Sequence, residues 1–255
     1  MVKKPQHSPS SERLDQMLVT QGAFASRAQA QAAIQNGLVC VNGQTVRKAA
    51  HKCQTSDVIT HKAAHPYVSR GGVKLAHGLA HFGFSATGCH GLDLGASTGG
   101  FTDVLLQAGA AHVVALDVGH GQLDARLAAD ARVTQKDKCN ARHLTLQDLP
   151  PHYAISALVC DVSFISLTLA LPAAMALAEK DCWMLALIKP QFEVGKDKLG
   201  KAGVVKDDAL HHEICQRIEV FVQSQSGWQV VGITPSPVLG PKGNREFLLA
   251  AQKSL

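Results

Sequence analysis

The sequence has no C-x-x-C pair, no signal-peptide core and no apolar run long enough to cross a membrane. Each absence removes a class of protein. The seven cysteines (Cys40, Cys53, Cys89, Cys139, Cys160, Cys182 and Cys215) are scattered, odd in number and set among apolar neighbours. They read as reduced, mostly buried thiols of a cytoplasmic protein, not as a disulfide framework. The start, MVKKPQHSPSSE, is polar and lacks the apolar stretch of a secretory signal. The longest apolar stretch, LTLALPAAMALA at 167–178, contains Pro172 and falls short of the ~20 residues a membrane helix needs. Thirteen histidines invite a metal, but His211 and His212 are adjacent and no ligand spacing is read among them, so no metal is expected. Missing too are G-x-G-x-x-G and G-x-x-x-x-G-K-[ST], the phosphate-binding fingerprints of dinucleotide and P-loop proteins.

What is present begins with asymmetric charge. Residues 1–62 hold eight Lys/Arg against Glu12, Asp15 and Asp57, while the rest of the chain has seventeen of each sign. The whole +5 excess therefore lies in the first quarter, which suggests a basic module that docks a polyanion beside a neutral body that acts on it. After a tail at 1–10 expected to be disordered, residues 11–62 read as two short helices and a small sheet. Leu14, Met17 and Leu18 have helical spacing, and Gly22 can end that helix. Ser26 with Gln29 makes a capping box for a second helix through Ala28, Ala32, Ala33 and Ile34. LVCV is a strand, and Asn42-Gly43 is a hairpin turn signal. With RLDQML and SRAQAQAAIQNGLVCVNG in this order, the segment resembles the S4 RNA-binding domain. The resemblance implies that Arg13, Arg27 and Lys48 face an RNA backbone. Arg27 stands in a helix first turn, where the dipole disfavours a cation, and this favours an external anion as its partner. Residues 63–68 are the expected linker to a second domain at 69–255.

In that domain, GLDLGASTGGFTDVLLQ (91–107) reads as strand, glycine turn and helix, with Ser97 or Thr98 able to cap a helix starting near Phe101. The spacing D-x-G-x-x-x-G, through Asp93, Gly95, Gly99 and Gly100, suits S-adenosylmethionine better than a triphosphate, for which no gripping lysine follows. Around it, Ala96, Ser97, Thr98 and Phe101 complete the candidate cofactor loop. Asp117, about 20 residues beyond the first glycine at the end of a buried-type strand, can accept bonds from ribose hydroxyls. Asp137 and Asn140 follow a third strand, where they stand either as adenine contacts or as plain loop residues. Strands at CHGLDLG, HVVALDV, ARVTQ, ISALVCDV, CWMLALI, WQVVGITP and REFLLAAQ alternate mostly with helical patterns. The fold class is therefore α/β: a Rossmann-like, doubly wound, seven-stranded sheet closed by an antiparallel hairpin, with a small α+β domain before it.

The segment after the fourth strand, CDVSFIS, has Asp161 but not the D-P-P-Y type motif of amine methylation. Cys160 ends an apolar strand and reads as core rather than as a nucleophile. Oxygen methylation remains. A hydroxyl acceptor needs a group to take its proton or stabilise the alkoxide, and a buried lysine suits that task. Lys189, at the end of the fifth strand in LALIKPQFE and fixed by Pro190, is the candidate.

YVSRGGVKLAHGL, DLGASTGGFTDVLLQ, LDVGHGQL, NAR, DVSFISL, LIKPQFEVGKDKLGKAGVV and GPKGNREF occur in an order similar to the TlyA-type family. Members of that family join an S4 domain to an FtsJ-like methyltransferase and often carry the label haemolysin A. The resemblance implies 2′-O-methylation of cytidine in ribosomal RNA by a Lys-Asp-Lys-Glu tetrad, here Lys74, Asp161, Lys189 and Glu246. Without it, Lys74 reads as a helix-surface lysine and Glu246 as a solvated strand residue. Arg70, Lys196, Lys198 and Lys201 are expected to touch RNA phosphate, the three lysines from a glycine- and lysine-rich loop. His120 and the QKDKCNAR loop depart from the family pattern, which leaves the adenine contacts open. Two other readings stand beside this one: an RNA-binding protein with an inactive methyltransferase fold, and a membrane-damaging haemolysin. Filled tetrad positions oppose the first, and the lack of membrane-spanning helices or pore-type strands opposes the second.

Overall fold

The computed structural model describes residues 11–24, 26–61, 65–195, 199–200 and 203–254. The tail at 1–10 lies outside them. The chain divides into two compact units, 1–66 and 67–255.

In the first unit, β1 (Glu12–Arg13) leads into α1 (Leu14–Thr20), followed by α2 (Arg27–Gln35), β2 (Val39–Val41), β3 (Gln44–Thr45), β4 (Lys52–Cys53) and β5 (Ile59–His61). Leu14, Met17 and Leu18 are buried as their spacing predicts, and Gly22 takes φ 71° just past the helix end. Ser26 Oγ accepts from the Gln29 N–H at 3.3 Å, capping α2. Asn42 and Gly43 have φ 50° and 79°, the paired left-handed residues a tight β2–β3 hairpin requires. The two helices and the strands enclose a small core that includes Leu14, Leu18, Ala30, Ala33, Ile34 and Val39.

The second unit runs α3 (Arg70–Phe82), β6 (His90–Leu94), α4 (Gly100–Gln107), β7 (His112–Leu116), α5 (Ala125–Ala128), β8 (Val133–Lys136), β9 (Ile155–Cys160), α6 (Leu167–Ala170) and α7 (Pro172–Leu177). It continues through β10 (Ala178–Ile188), α8 (Pro190–Glu193), α9 (Asp208–Gln223), β11 (Trp228–Pro235) and β12 (Phe247–Lys253). All seven expected strands join one sheet, in the order β11-β12-β10-β9-β6-β7-β8. Five are parallel neighbours, and β12 inserts antiparallel to both β10 and β11.

Alternation along the strands separates two cores. Leu92, Leu94, Leu158 and Cys160 pack on one face, while Val113, Ala157, Val159 and Leu185 pack on the other, with α3 and α4. Cys160 is fully buried, and burial pushes its thiol up to about 12, so it is core as expected. The apolar stretch at 167–178 breaks at Pro172, which occupies the first turn of α7. Among the described residues no helix is long and apolar enough to cross a membrane.

Winding proceeds outward from β6 to β8, then returns to the other side through β9 and β10. The reversal lies between β6 and β9, whose last residues Leu94 and Cys160 are register partners. Crevices at the carboxyl ends of such strands are where open α/β sheets hold ligands.

Candidate active site

The glycine turn follows β6. Gly95 and Gly99 have φ 80° and 92°. A side chain on Gly95 would begin 3.0 Å from the Val162 Cα, so the turn packs backbone on backbone against the segment after β9. Gly99, not Ser97 or Thr98, caps α4, and no side chain of its own caps it. The reason is Asp93. Its Oδ2 accepts from the Thr102 N–H at 2.9 Å and the Thr102 hydroxyl at 2.7 Å, satisfying from beneath a donor that a cap would otherwise take. Ser97 instead donates its N–H to Asp117 Oδ2 at 2.8 Å. Asp93 is fully buried and does not line the cavity described next. Burial above all, with the charges of Asp161 and Asp117, lifts its carboxyl to about 7 against the bonds from Thr102.

Two lysine–carboxylate pairs face one cavity of about 640 Å³ beside this turn. Lys189, at the end of β10, lies with Nζ 2.6 Å from Asp161 Oδ1. Its Nζ also donates to the Asp161 carbonyl at 3.1 Å and the Ser163 hydroxyl at 2.9 Å, while the Asp161 carboxylate beside it balances its charge. Lys74, on α3, donates to Glu246 Oε2 at 2.5 Å. Lys74 and Lys189 are each 7 % exposed and Glu246 is 2 % exposed. The readings of Lys74 as a surface lysine and Glu246 as a solvated residue are therefore corrected: α3 turns Lys74 inward, and each charge is buried because the other neutralises it. Glu246 Oε1 has no hydrogen-bond partner among the described residues.

The site also contains a residue that the sequence patterns missed. Phe164, three residues past Asp161, has φ 66° and is 91 % exposed on the cavity wall. Its ring meets that of Phe192 with centroids 5.0 Å apart. A lone aromatic in a D-x-S-F sequence gives no periodic signal. Its nearness to a site carboxylate was the available clue.

Residues 67–253 match the FtsJ-like methyltransferase family and residues 12–59 match the S4 domain. The chain belongs to the TlyA-type branch of the FtsJ-like methyltransferases. It is 42 % identical over 239 residues to the 16S/23S rRNA (cytidine-2′-O)-methyltransferase TlyA of Mycobacterium tuberculosis, covering 93 % of this chain and 88 % of that protein. It is 40 % identical over 236 residues to Hemolysin A of Brachyspira hyodysenteriae, covering 92 % and 98 %. Among solved structures, a hemolysin candidate from Streptococcus thermophilus superposes with a TM-score of 0.75 at 38 % identity, covering 97 % of this chain and 90 % of that one.

In this TlyA-type chain, Gly95, Ala96, Ser97, Thr98, Gly100, Phe101 and Asp161 line the cavity, whereas Gly99, Asp117, Asp137 and Asn140 do not. Asp117 holds the loop by accepting from the Ser97 and Gly119 N–H groups at 2.8 and 2.7 Å. Asp137 accepts from Gln135, His120 and the Gly121 N–H, and Asn140 Oδ1 accepts from the Arg142 N–H.

The candidate RNA contacts separate in the same way. Arg70 is exposed at the cavity and Lys48 is exposed on the first unit. Arg13 and Arg27 converge on the fully buried Asp15, with Arg13 Nε 2.9 Å from Oδ1 and Arg27 3.0 Å from Oδ2. Arg27 thus has an internal anion, which removes the argument for an external one from its place in the helix. Lys196, Lys198 and Lys201 lie outside the described residues.

His77 and His81, one turn apart on α3 with rings 5.7 Å apart, form an H-x-x-x-H spacing that the sequence reading passed over. Among the described residues no group of three His, Cys, Asp or Glu is placed to hold a metal ion.

Proposed function

We propose that this chain methylates the 2′-hydroxyl of a cytidine in ribosomal RNA, with S-adenosylmethionine as methyl donor and the S4 domain docking the RNA. The observation that carries the reading is the pair of buried lysine–carboxylate couples, Lys189–Asp161 and Lys74–Glu246, on one cavity with the Gly95–Phe101 turn. The printed names of the mycobacterial and other TlyA relatives support the substrate class.

The residues present fit the donor. The turn packs so closely that only glycine serves at Gly95, it opens onto a cavity of small-molecule size, and Asp117 keeps spare lone pairs. Gly95 to Phe101 and Asp117 would hold the molecule, with Asp161 close by. When bound, S-adenosylmethionine supplies an electrophilic methyl group on a sulfonium centre.

The protein's own work lies at the acceptor oxygen. Lys189 Nζ turns one N–H toward the 2′-oxygen and stabilises the negative charge that grows there as the hydroxyl proton passes to solvent. Of its two hydrogen-bond acceptors, the Ser163 hydroxyl belongs to an exposed residue, so its bond is the less costly to exchange. Asp161 keeps the ammonium in place and balances its charge. Glu246 Oε1, with lone pairs unused, accepts from a ribose hydroxyl while Lys74 holds the carboxylate still. Phe164 offers an exposed ring face on which a base can stack. A protein with ribosomal RNA as substrate works in the cytoplasm, on ribosomal subunits or their RNA.

The test is transfer of labelled methyl to unmethylated small and large subunits and to naked rRNA, followed by nucleoside analysis. Label in 2′-O-methylcytidine is expected. No label on any of these acceptors, with donor binding intact, overturns the reading.

A further inference from the structure

Asp161 and Lys189 must keep their separation through the reaction, yet they lie on different loops, one after β9 and one after β10. Among the contacts that join these loops, three residue pairings or groups follow one another along the chain. Asp161 meets Lys189 at 2.6 Å. Three residues further on each side, Phe164 meets Phe192 at 5.0 Å between ring centroids. The last contact is the carboxylate of Glu193, whose Oε1 accepts from the Leu167 N–H at 2.8 Å and whose Oε2 accepts from the Ser166 hydroxyl at 2.6 Å.

Glu193 is built into this position. Its side chain is 2 % exposed, and the Arg217 guanidinium of α9 stands 4.0 Å from Oε2. Arg217 also donates to the Glu193 carbonyl at 2.5 Å, which fixes the end of α8. A carboxylate is withdrawn from water to this degree only where its oxygens are matched, and here the matching donors belong to the opposite loop. Glu193 does not line the cavity, whereas Lys189, Gln191 and Phe192, its neighbours on and beside α8, do.

We infer that Glu193 is a positioning residue that clamps the loop bearing Asp161 and Phe164 to the turn bearing Lys189 and Phe192, and so sets where the Lys189 ammonium meets the acceptor oxygen. The inference rests on the role given to Lys189 above.

Glu193→Ala, Glu193→Gln and Ser166→Ala test it. Glutamine keeps the clamp, because its amide oxygen accepts from Leu167 and its NH₂ donates to the Ser166 oxygen, a hydroxyl being able to do either. A misplacement on the order of 1 Å costs on the order of 10²-fold in rate. Glu193→Ala is therefore expected to lose at least about tenfold in kcat with donor affinity unchanged. Glu193→Gln keeps about a third or more of kcat, and Ser166→Ala falls between.

A second readout needs no methyl transfer: acetylation of Lys189 by acetic anhydride, followed by mass spectrometry. Glu193→Ala should label several-fold faster than the wild type and Glu193→Gln at nearly the wild-type rate. A wild type that methylates no RNA but shows this labelling pattern sinks the functional reading and leaves the clamp standing. Glu193→Ala with wild-type kcat and labelling overturns the clamp, as does Glu193→Gln impaired as severely as Glu193→Ala. Should Glu193→Ala fail to fold, Ser166→Ala with wild-type kcat and labelling overturns it.

Discussion

Lys74 and Glu246 are 172 residues apart in the chain and joined by a 2.5 Å ion pair with both side chains buried. Removing one member leaves the other as a buried charge without its partner, at a cost of about 3–5 kcal/mol. Lys74→Met and Glu246→Leu should each lower the thermal midpoint markedly. The double variant should regain most of the loss while staying inactive. Single variants as stable as the wild type would show that the pair is not buried as described.

Asp93 gives the protein a pH dependence whose sign is fixed by its raised carboxyl pKa of about 7. Between the ordinary carboxylate range and about 7, the folded state keeps the proton that the unfolded chain has released. Stability from this group is therefore full in acid, falls as pH rises through that window, and levels off above it. Asp93→Asn, which keeps an acceptor for Thr102 but cannot ionise, should flatten this part of the thermal midpoint profile. An unchanged slope between pH 5 and 8, on the order of the window above, would refute the assignment.

Phe164 is too exposed to stabilise the fold, so its substitution separates recognition from folding. Phe164→Ala should weaken RNA binding on the order of tenfold, the scale of one lost base–aromatic stack. Donor affinity and thermal midpoint should stay at wild-type values. Undiminished binding and turnover would remove the ring from the acceptor site.

Asp15 organises Arg13 and Arg27 in the S4 domain and also accepts from Gln31 at 2.7 Å. The Arg13 bond above all, with those of Gln31 and Arg27, holds its carboxyl well below the usual carboxylate range. Its stabilising contribution is present above the ordinary carboxylate range and is lost only in strong acid. Asp15→Ala should free both arginines and reduce RNA affinity, with a shallower salt dependence. Equal affinity and salt slope would show that these arginines do not act on phosphate.

The sheet was legible because its central strands β6, β7, β9 and the second part of β10 are buried on both faces and read as apolar runs. Asp161 and Lys189 could be found because they end two of those runs. Lys74 and Glu246 could not be found that way: a lysine on an amphipathic helix carries no local sign of a partner 172 residues away. They came from the family resemblance alone. The place of Asp93 in the D-x-G pattern suggested cofactor contact, but the bond to Thr102 makes it a helix cap from below. The external anion expected for Arg27 rests on its place in a helix first turn, which carries no sign of Asp15, twelve residues earlier on a different helix. Spacing reports neighbours on one element, while Lys74 meets Glu246, Asp93 meets Thr102 and Arg27 meets Asp15 across elements.

Single-turnover methyl transfer by Lys189→Ala, with donor affinity measured on the same preparation, tests the central claim most directly. The account predicts donor binding at the wild-type level and a rate of 2′-O-methylcytidine formation lower by at least about 10²-fold, the scale of losing one preorganised donor at a developing oxyanion. Wild-type rate with wild-type donor binding would contradict it.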